Sequence, residues 1–545
     1  MISEPSQRAT SHNLIHYLDR WAVEAPERPA IVTPADLAAT SHRVIRFGEL
    51  AAEVESLAAG LRRKGLQQGD RVVVMVPMSA ELYTLILALL KIGAITVFVD
   101  PWVGLSRLLA CVRLVEPAAF AGPVIVQALA SGFSEFRRIK TRLVSSRSGW
   151  GRLLAPGQPG QPEAAATSPV APDDTALITF TTGSSGTPKG ANRTHGFLEA
   201  QHQALCAEMR IQAGDVAMPA LPIFILSNLA AGATSVIPAM KPSRPSAVDP
   251  DAILRQIERF GVTTMVGSPA FFAPLAQRLK ERDLALSGVQ SMFLGGAAVP
   301  PDLMRDLADL LPDGEAYIGY GSTEAEPVAL ISAREVVAET GARTARGDGD
   351  CVGRPAHGLE VRIIRALSGP VVDPDWAQLE LPDGQIGEVV VAGRQVNRDY
   401  FRDEEAVRLN KIREPNGRIW HRMGDLGYRD ELGRLWIVGR LHNRVQRAGT
   451  VLYPGIVEAL AQAEPWVQRA ALVGLPDGEL GQRAVVAVVP RAAPRIEALR
   501  AKLAEHGIRV DEVILRRRIP VDPRHNAKVD YDRLARSLSR YPGLQ

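Results

Sequence analysis

The sequence predicts an α/β protein: a large N-terminal body of helix-covered sheets, a β-rich subdomain and a small α+β C-terminal domain. Strand-like and helix-like segments alternate through the first 130 residues, which is typical of a parallel sheet covered by helices. After Asp350, short strands separated by turn signals indicate the β-rich subdomain. The chain's 545 residues are too many for one ordinary domain. We expect a large domain at residues 1–440 and a small one at residues 441–545.

The first predicted sheet begins with a buried strand at residues 71–77, a helix at 80–91 and a second strand at 94–100. The most apolar run of the chain, residues 82–99, covers this helix and the second strand. A lysine and a glycine interrupt the run, whereas a membrane helix needs about 20 consecutive apolar residues. We therefore expect a buried helix that turns at Gly93 into a core strand.

The later elements follow from the same patterns. Residues 149–174 are rich in Ala, Pro, Gly, Gln and Ser, which indicates a loop or internal linker. In the large domain we expect further strands at 176–180, 263–267 and 291–296, with a helix at 251–260. In the β-rich subdomain we expect strands at 361–364, 388–393 and 434–439. In the C-terminal domain we expect strands at 469–475 and 483–490 and a helix at 495–507.

Composition favours a soluble globular protein, since 46% of the residues are hydrophobic and 23% are charged. The net charge of +3 is small for this length, and with no basic arm it gives no support for nucleic-acid binding. Three cysteines stand far apart, which argues against a disulfide framework and a zinc site and fits a reducing cytoplasm. The polar N-terminus has no apolar signal core, so we expect a cytoplasmic location without a transmembrane segment.

Residues Thr181 to Gly190 form a glycine-rich loop after an expected strand. The segment holds three glycines, five hydroxyl residues and Lys189 in ten positions. A phosphate chain needs closely approaching backbone N–H groups, hydroxyl donors and a cation, and these residue types supply all three. A Walker loop requires Gly-Lys followed by Ser or Thr at a helix N-terminus. Lys189 instead lies between Pro188 and Gly190, so the loop is not a Walker loop; an ordinary glycine–serine turn is the competing interpretation.

The complete string closely resembles the phosphate-binding signature of the adenylate-forming superfamily, which includes acyl-CoA synthetases, firefly luciferases and peptide-synthetase adenylation domains. The resemblance extends over nearly the whole chain, and the motifs occur in the family's order. It implies that ATP is bound by Thr181, Thr182, Gly183, Ser184, Ser185, Gly186 and Thr187. It also implies a catalytic role for Lys189 and a contact between Thr182 and magnesium.

Two further segments resemble the family's adenine site. In residues 317–327, the resemblance assigns Gly319, Tyr320, Gly321 and Ser322 to the nucleotide, Thr323 to the phosphate and Glu324 to magnesium. A hard cation that bridges phosphate oxygens prefers a carboxylate ligand, which explains the glutamate. A Thr-Glu pair is also a common helix N-cap, which is the competing interpretation. Upstream, Gly295, Gly296, Ala297 and Ala298 resemble the loop that lies against the adenine and the acyl group.

Two motifs nearer the C-terminus complete the resemblance. In residues 420–440, Asp425 resembles the aspartate that accepts hydrogen bonds from both ribose hydroxyls, and Arg440 the arginine that also reaches the ribose. An aspartate beside glycine is otherwise usually a turn residue. In residues 520–534, Lys528 resembles the lysine that bridges the substrate carboxylate and the α-phosphate, although Ala527 replaces the usual glycine. A solvated surface lysine is the competing interpretation there.

These roles describe one reaction, the activation of a carboxylic acid as an acyl-adenylate. A carboxylate that attacks the α-phosphorus of ATP brings two anions together, so catalysis is mostly positioning and charge neutralisation. ATP and magnesium are the implied cofactors, and no nucleophilic side chain is needed. We interpret His195, five residues after Gly190, as a structural or pocket residue rather than a general base.

The acid is expected to be fatty or otherwise lipophilic. Residues 222–238 are apolar and contain small side chains, and in the family this region lines the acyl pocket. The resemblance places Phe224, Ser227, Asn228 and Gly295 in that pocket, and no aspartate is found that would capture an amino-acid ammonium group.

The fate of the adenylate stays open between two reactions. In the superfamily the small domain rotates and the acyl group passes to a thiol of coenzyme A or a carrier protein; the hinge normally carries Asp or Lys where this chain has His442. Segments 233–245, 351–355, 420–430 and 439–445 look closer to olefin-pathway β-lactone synthetases. There the β-hydroxyl of a 2-alkyl-3-hydroxy acid captures the adenylate.

Two functions other than ligation are alternatives to these reactions. A catalytically inactive relative that binds nucleotide or lipid is disfavoured, because Lys528, Glu324 and Asp425 are all present. An adenylate-dependent oxidase of the luciferase type is compatible with the same motifs.

Overall fold

Strands and helices alternate along the chain as the apolar pattern predicts. The structure is a computed structural model that describes residues 12–99, 104–146, 149–150, 166–182, 188–241, 244–521 and 528–539. The described residues divide into two units by their internal contacts, the first within Met1–Pro238 and Asn397–Val407 and the second within Ala239–Val396 and Arg408–Gln545.

The first unit contains most of the predicted parallel sheet. Its helices up to residue 238 are α1 (Ile15–Glu24), α2 (Phe47–Arg63), α3 (Ala80–Lys91), α4 (Leu105–Val115), α5 (Val124–Ala130), α6 (Ser134–Arg137), α7 (His195–Met209) and α8 (Ile223–Ala231). Its strands are β1 (Pro29–Pro34), β2 (His42–Arg46), β3 (Arg71–Val74), β4 (Ile95–Phe98), β5 (Ala119–Pro123), β6 (Thr141–Ser145), β7 (Thr175–Thr182), β8 (Pro188–Thr194), β9 (Val216–Pro219) and β10 (Thr234–Val236).

Two strand groups organise this unit. One sheet has the order β6-β5-β3-β4-β7-β8, parallel from β6 to β7, with β8 returning antiparallel to β7. In the other group β9, β10 and β1 are parallel and β2 is antiparallel to β1. Helix α3 is buried along its whole length except at half-buried Glu81, as expected for the apolar run. Its last residue, Lys91, is buried and pairs with Glu55 at 2.8 Å (Nζ to Oε2), which explains how a lysine fits there.

Residues 239–545 contain the rest of the elements. The helices are α9 (Pro250–Phe260), α10 (Pro269–Glu281), α11 (Pro301–Leu310), α12 (Ala333–Glu335), α13 (Gly341–Ala345), α14 (Trp376–Leu379), α15 (Glu404–Asn410), α16 (Pro454–Gln462), α17 (Ile496–Glu505) and α18 (Tyr531–Ser539), with 3₁₀ turns at Pro245–Ala247 and Leu441–Asn443 and a π turn at Val336–Thr340. The strands are β11 (Thr264–Gly267), β12 (Ser291–Leu294), β13 (Glu315–Ser322), β14 (Ala325–Ser332), β15 (Asp350–Pro355), β16 (Glu360–Ile364), β17 (Gly387–Ala392), β18 (Lys411–Arg413), β19 (Ile419–Arg429), β20 (Leu435–Arg440), β21 (Val445–Arg447), β22 (Thr450–Leu452), β23 (Val467–Asp477), β24 (Gly481–Pro490) and β25 (Glu512–Leu515).

The strands of the second unit form two groups. In the longer one, of order β16-β17-β19-β20-β15-β14-β13-β12-β11, strands β11 to β13 are parallel and the others are antiparallel. Strand β18 also pairs with β19. The smaller sheet has the order β22-β21-β24-β23, and β25 pairs parallel with β24. Side chains of β23 and β24 supply two hydrophobic clusters, one closed by α16 and α17 and the other by α18.

The fold class predicted from the sequence is confirmed: a mixed α/β protein with large helix-covered sheets, a β-rich part and a small α+β part at the C-terminal end. The predicted helix at 80–91 has the observed bounds, and each predicted strand is found with ends shifted by a few residues. The linker prediction at 149–174 falls partly on residues 151–165, which lie outside the described residues. Across the described ranges, no helix is long and apolar enough to cross a membrane.

Candidate functional site

The glycine-rich segment connects two antiparallel strands. Strand β7 ends at Thr182 and β8 begins at Pro188, with Thr181 paired to Lys189 across the hairpin. Residues 183–187 lie outside the described residues, so the predicted contacts of Gly183, Ser184, Ser185, Gly186 and Thr187 stay predictions. Because β8 separates the loop from α7, the loop does not run into a helix, as the sequence argued against a Walker loop.

Lys189 is held at the base of this hairpin by a second segment of the same unit. Its ammonium lies 5.8 Å from the centre of the Tyr400 ring, close enough for a cation–π contact. The Phe401 N–H donates to the Gly190 carbonyl at 2.8 Å, and Ala191 forms a β-bridge with Tyr400. The sequence analysis missed Tyr400, because more than 200 residues of chain separate it from Lys189 and no local spacing links them.

His195 occupies the first turn of α7 and is buried. Burial lowers its pKa to about 4, so the imidazole is neutral near pH 7. The helix is capped beside it by Thr194, whose hydroxyl oxygen accepts the Phe197 N–H at 3.1 Å. This position supports the interpretation of His195 as a structural residue.

Two glycine segments in the second unit lie against each other at the ends of neighbouring strands. Strands β12 and β13 are parallel, and Gly295 follows β12 directly. A Cβ atom added to Gly295 would lie 3.1 Å from the Gly319 carbonyl oxygen, so a larger residue would push the strands apart. Gly296 has a φ of 82°, in the left-handed region that favours glycine. The structure thus brings the predicted adenine loop, which continues through Ala297 and Ala298, against β13.

The Thr323–Glu324 pair forms the two-residue turn between β13 and β14, where Ser322 pairs with Ala325. The competing N-cap interpretation is therefore wrong, because strand pairing on both sides fixes a hairpin and not a helix start. Glu324 is buried, and its N–H donates to the Ser322 hydroxyl at 3.3 Å. A Cβ atom at Gly321 would lie 2.9 Å from the Ala325 carbonyl, so this tight turn requires a glycine.

Asp425, Arg440 and Tyr320 form one cluster beside this turn. Asp425 and Arg440 are opposite one another on β19 and β20, and Arg440 Nε lies 3.1 Å from Asp425 Oδ1. The Tyr320 hydroxyl donates to Asp425 Oδ2 at 2.7 Å. Asp425 lies inside a strand, so the turn interpretation of this residue is also wrong.

The electrostatics of this cluster favour a fixed acceptor. The Asp425 carboxylate raises the pKa of Arg440 most strongly, and the charge of Glu324 adds to it. Burial, together with the Asp425 charge, raises the pKa of Tyr320 well above its usual value, so the phenol remains a donor. A carboxylate has about four lone-pair positions, so after accepting from Tyr320 and Arg440 it can still accept two hydroxyl groups.

Lys528 is exposed and lies just before the last helix of the described chain. The Tyr531 hydroxyl of α18 donates to Glu458 Oε1 on α16 at 2.9 Å, and the Leu472 N–H donates to the same oxygen at 3.0 Å. The pKa of His442 is lowered mainly by burial and by Arg440, whereas Asp532 on α18 and Asp425 act in the opposite direction. The start of α18 and the Asp425 cluster therefore both act on the pKa of His442.

The predicted acyl-pocket residues Phe224, Ser227 and Asn228 are buried on α8 in the first unit. The Asn228 amide donates to the Ser235 hydroxyl at 3.1 Å, while Ser227 Oγ lies 3.0 Å from His202 Nδ1. Gly295, the fourth predicted pocket residue, belongs to the second unit. The helix is apolar, as a lipophilic pocket wall requires, but these contacts alone also describe an ordinary core helix.

A magnesium ion would find a carboxylate ligand in buried Glu324. Within the described ranges, no group of three or more His, Cys, Asp or Glu side chains is arranged to hold a metal by itself. That arrangement fits Mg²⁺, which is usually held by one or two carboxylates together with the phosphates of the nucleotide and water. When bound, the ion would neutralise charge on the phosphate oxygens.

A turn that presents a carboxylate, a glycine-lined strand end and a pre-aligned Asp–Arg–Tyr cluster are together suited to bind a nucleotide. The chain belongs to the AMP-binding enzyme family, whose sequence model matches residues 18–401. It is an AMP-forming ligase that makes an acyl-adenylate from ATP and a carboxylic acid, as the sequence predicts.

The chain is also similar to named relatives, and it shares its fold with a solved structure. The chain is 37% identical to an olefin β-lactone synthetase of Xanthomonas campestris pv. campestris, over 98% of this chain and 99% of that protein. It is 30% identical to a feruloyl-CoA synthase of an Amycolatopsis species, over 85% and 88% of the two chains. ATP-bound MatB from Rhodopseudomonas palustris has the same fold, with a TM-score of 0.79, 24% identity, and coverage of 97% and 99%.

Proposed function

We propose that this chain converts a 2-alkyl-3-hydroxy acid into a β-lactone through an acyl-adenylate. The observation that carries the proposal is the 37% identity to an olefin β-lactone synthetase along essentially the full length of both chains. The feruloyl-CoA synthase is less similar, at 30% over 85% of the chain. The segments that resemble the lactone-forming subgroup lie in both units, at residues 233–245, 351–355, 420–430 and 439–445.

In the first step, a carboxylate oxygen of the acid bonds to the α-phosphorus of ATP and pyrophosphate leaves. Lys528 and Lys189 would neutralise the converging negative charges, and Glu324 and Thr182 would hold magnesium. Asp425 would accept hydrogen bonds from the ribose hydroxyls, and Arg440 would keep its carboxylate in place. Support for these roles comes from the Tyr320 and Arg440 contacts of Asp425 and from the buried hairpin position of Glu324.

In the second step, the β-hydroxyl oxygen of the substrate attacks the acyl carbon of the adenylate. The bond between that carbon and the oxygen attached to phosphorus breaks, AMP leaves with that oxygen, and the hydroxyl proton is released. The product is lighter than the starting acid by one water, and no thiol takes part. His442, which stands where thiol-using relatives carry Asp or Lys, is compatible with this thiol-free step.

We also propose that residues 441–545 form a mobile C-terminal domain that carries Lys528. The 3₁₀ turn Leu441–Asn443 directly follows β20 and would serve as the hinge. The residues beyond it have a hydrophobic cluster of their own, drawn from Val445 to Val510. A separate core is what allows a domain to move as a rigid body.

We propose that Phe224, Ser227 and Asn228 of the apolar helix α8 line the substrate pocket, and that Gly295 contacts the acyl group. Buried apolar side chains would accept the alkyl groups.

We propose a reducing, cytoplasmic setting, since all three cysteines are free thiols and burial raises the pKa of Cys111 and of Cys351 to about 12.

A thioester product with coenzyme A or a carrier protein is the second candidate. It is favoured by the 30% identity to the feruloyl-CoA synthase. In that reaction the thiol sulfur replaces the β-hydroxyl as the attacking atom, and the same adenylate is consumed.

The two candidates are separated by a matched pair of acids, a 2-alkyl-3-hydroxy acid and the corresponding 3-deoxy acid. Each acid is incubated with ATP and magnesium, with and without coenzyme A. The lactone proposal expects pyrophosphate, AMP and a product lighter by one water from the hydroxy acid without any thiol. The deoxy acid should give adenylate and no lactone. Acyl-CoA formed from both acids, and no water loss from either without coenzyme A, would overturn the proposal.

A further inference from the structure

Helix α5 presents an apolar face to solvent at the edge of the six-stranded sheet. Val124, Ile125 and Leu129 are 66%, 69% and 69% exposed, which is unusual for three aliphatic side chains on one seven-residue helix. Isolated exposed apolar residues are normal, but a contiguous patch indicates a surface that meets something.

The inner side of the same helix is firmly held, so the exposed face is a fixed feature. The Gln127 amide of α5 donates to the Phe120 carbonyl of β5 and to the Leu143 carbonyl of β6, both at 3.1 Å. Arg142 of β6 donates to Gln127 Oε1 at 3.1 Å and to the Phe136 carbonyl of α6 at 2.5 Å. Arg142 therefore joins α5, α6 and β6 into one surface.

Strand β6 extends the apolar face. Side chains two residues apart lie on the same side of a strand, so Val144 lies on the side of Arg142, next to α5. Val144 is 42% exposed. We call Val124, Ile125, Leu129 and Val144 the α5 patch.

Three cations lie on α6 and on its connection to β6, the elements that Arg142 joins to α5. Arg137 ends α6, and Arg138 and Lys140 flank the buried Ile139 in the connection to β6. All three cations are exposed, and within the described part of the chain none of them makes an ion pair. We call these three residues the basic cluster.

Positive charge is far denser in this region than in the chain as a whole. Residues 124–146 hold four cations and one carboxylate, so this short segment has the same net charge, +3, as all 545 residues together. The one carboxylate, Glu135, is already paired with Arg113 of α4. The basic cluster is therefore left to attract anions from outside the molecule.

We infer that the α5 patch and the basic cluster together dock this protein on an anionic lipid bilayer. An apolar face that enters the headgroup region beside cations that meet lipid phosphates is the arrangement of interfacial membrane contacts. Each Lys or Arg near an anionic bilayer contributes about 1 kcal/mol to binding. A second copy of the chain fits less well, because a two-fold contact through this surface would place two basic clusters side by side.

The experiment is co-sedimentation of the full-length protein with phosphatidylcholine vesicles that either contain or lack phosphatidylglycerol. We expect binding only to the anionic vesicles and release at high salt, since screening weakens exposed charges. Equal binding to both vesicle types, or to neither, would overturn the inference. A change from dimer to monomer in Leu129→Glu, with no vesicle binding by the wild type, would assign the surface to a second copy instead.

Matched variants test each half of the surface. Arg137→Glu/Arg138→Glu should lower the partition coefficient at least about 30-fold, from about fivefold for each lost cation. Arg63→Glu/Lys64→Glu is the control, because these adjacent exposed cations occupy the same last-residue and C-cap positions of helix α2. Equal loss in both double variants would contradict a specific cluster.

Leu129→Glu should lower binding about tenfold through lost apolar contact. Leu432→Glu, at a leucine that is 52% exposed, is its control and should bind as the wild type does. If Leu432→Glu lost as much vesicle binding as Leu129→Glu, any added carboxylate would be enough to weaken binding, and the α5 patch would have no special role. Melting temperatures of all variants should match the wild type, since the altered side chains are exposed.

Discussion

The second unit contains two carboxyl–tyrosine pairs that have similar geometry and different surroundings. The Tyr320 hydroxyl donates to Asp425 at 2.7 Å, and the Tyr531 hydroxyl donates to Glu458 at 2.9 Å. Asp425 has Arg440 at 3.1 Å, whereas Glu458 makes no ion pair among the described residues. Burial raises the pKa of Glu458 to about 8.

The difference shows how one residue pair serves two purposes. An arginine beside Asp425 stabilises a carboxylate with unused lone pairs, which is suited to accept hydroxyl groups from a ligand. Without such a partner, half-buried Glu458 is held as a neutral acid that joins α16, α18 and β23. Burial also raises the pKa of nearby Asp350 to about 6, so this second cluster is uncharged at moderately low pH. We propose that the first pair serves ligand binding, whereas the second packs the segment after Lys528.

The largest effect is expected at Lys528, because it is the proposed catalytic lysine. It lies just before α18, the helix that Tyr531 and Glu458 hold in place. Lys528→Ala should lower the adenylation rate roughly 10³-fold, as lost charge stabilisation in a transition state does, and leave ATP binding unchanged. Pyrophosphate release and nucleotide titration measure the two quantities. Lys502→Ala, at a lysine paired with Glu464 in the same part of the chain, is the control. Turnover in Lys528→Ala equal to the control would show that Lys528 is a surface lysine.

Asp425→Ala tests the ligand-binding pair. We expect kcat/KM for ATP to fall about 10²-fold, because two charge-assisted hydrogen bonds to the ribose would be lost. With a nucleotide that carries deoxyribose, the difference in kcat/KM between the wild type and the variant should be smaller. If the variant loses stability but keeps its KM for ATP, Asp425 belongs with the packing residues and the comparison fails.

Glu458→Ala tests the packing pair and should act on stability instead. At pH 5 we expect a loss of about 2 kcal/mol in the free energy of unfolding, since the Leu472 N–H and the Tyr531 hydroxyl both lose their acceptor. Denaturant titration gives this value. The KM for ATP should not change; a rise comparable to that in Asp425→Ala would contradict the assignment.

The pH dependence of stability follows from the raised pKa of Glu458. The unfolded chain releases this proton near 4.5 and the folded protein near 8. The stability contributed by the neutral acid is therefore complete below pH 4.5 and is lost as the pH rises to about 8. Glu458→Gln stays neutral, so its free energy of unfolding should exceed that of the wild type by about 4 kcal/mol at pH 8 and match it near pH 4. If the free energies of unfolding of the two proteins changed in parallel with pH, the raised pKa of Glu458 would be contradicted.

The smallest effects compare the two tyrosines directly. Tyr320→Phe should raise the KM for ATP about fivefold, because Asp425 would lose one orienting hydrogen bond, while stability changes little. Tyr531→Phe should reduce stability by about 1 kcal/mol and leave the KM unchanged. Both substitutions delete one half-buried hydroxyl, so each variant is the control for the other. The same changes in KM and in stability for both variants would remove the distinction between the pairs.

The sequence could predict the fold class and the motifs because both depend on local pattern. Apolar periodicity gave the bounds of the helix at 80–91. Glycine and hydroxyl spacing predicted a phosphate loop, and its contacts stay a prediction. It could not predict Tyr400 beside Lys189 or the link between Glu458 and Tyr531, since these contacts join residues far apart in the chain. The local N-cap and turn interpretations of Glu324 and Asp425 failed because strand pairing overrides such preferences.

The central claim is that the carboxylate is activated and the β-hydroxyl closes the ring, and oxygen-18 in both carboxylate oxygens of the hydroxy acid tests it. One labelled oxygen should leave with AMP when the acyl–oxygen bond breaks. The lactone should keep one labelled oxygen, in its carbonyl, because its ring oxygen comes from the unlabelled hydroxyl. Mass spectrometry of AMP and lactone reads both at once. Unlabelled AMP with a doubly labelled lactone would mean that the hydroxyl is activated instead, and would contradict the account.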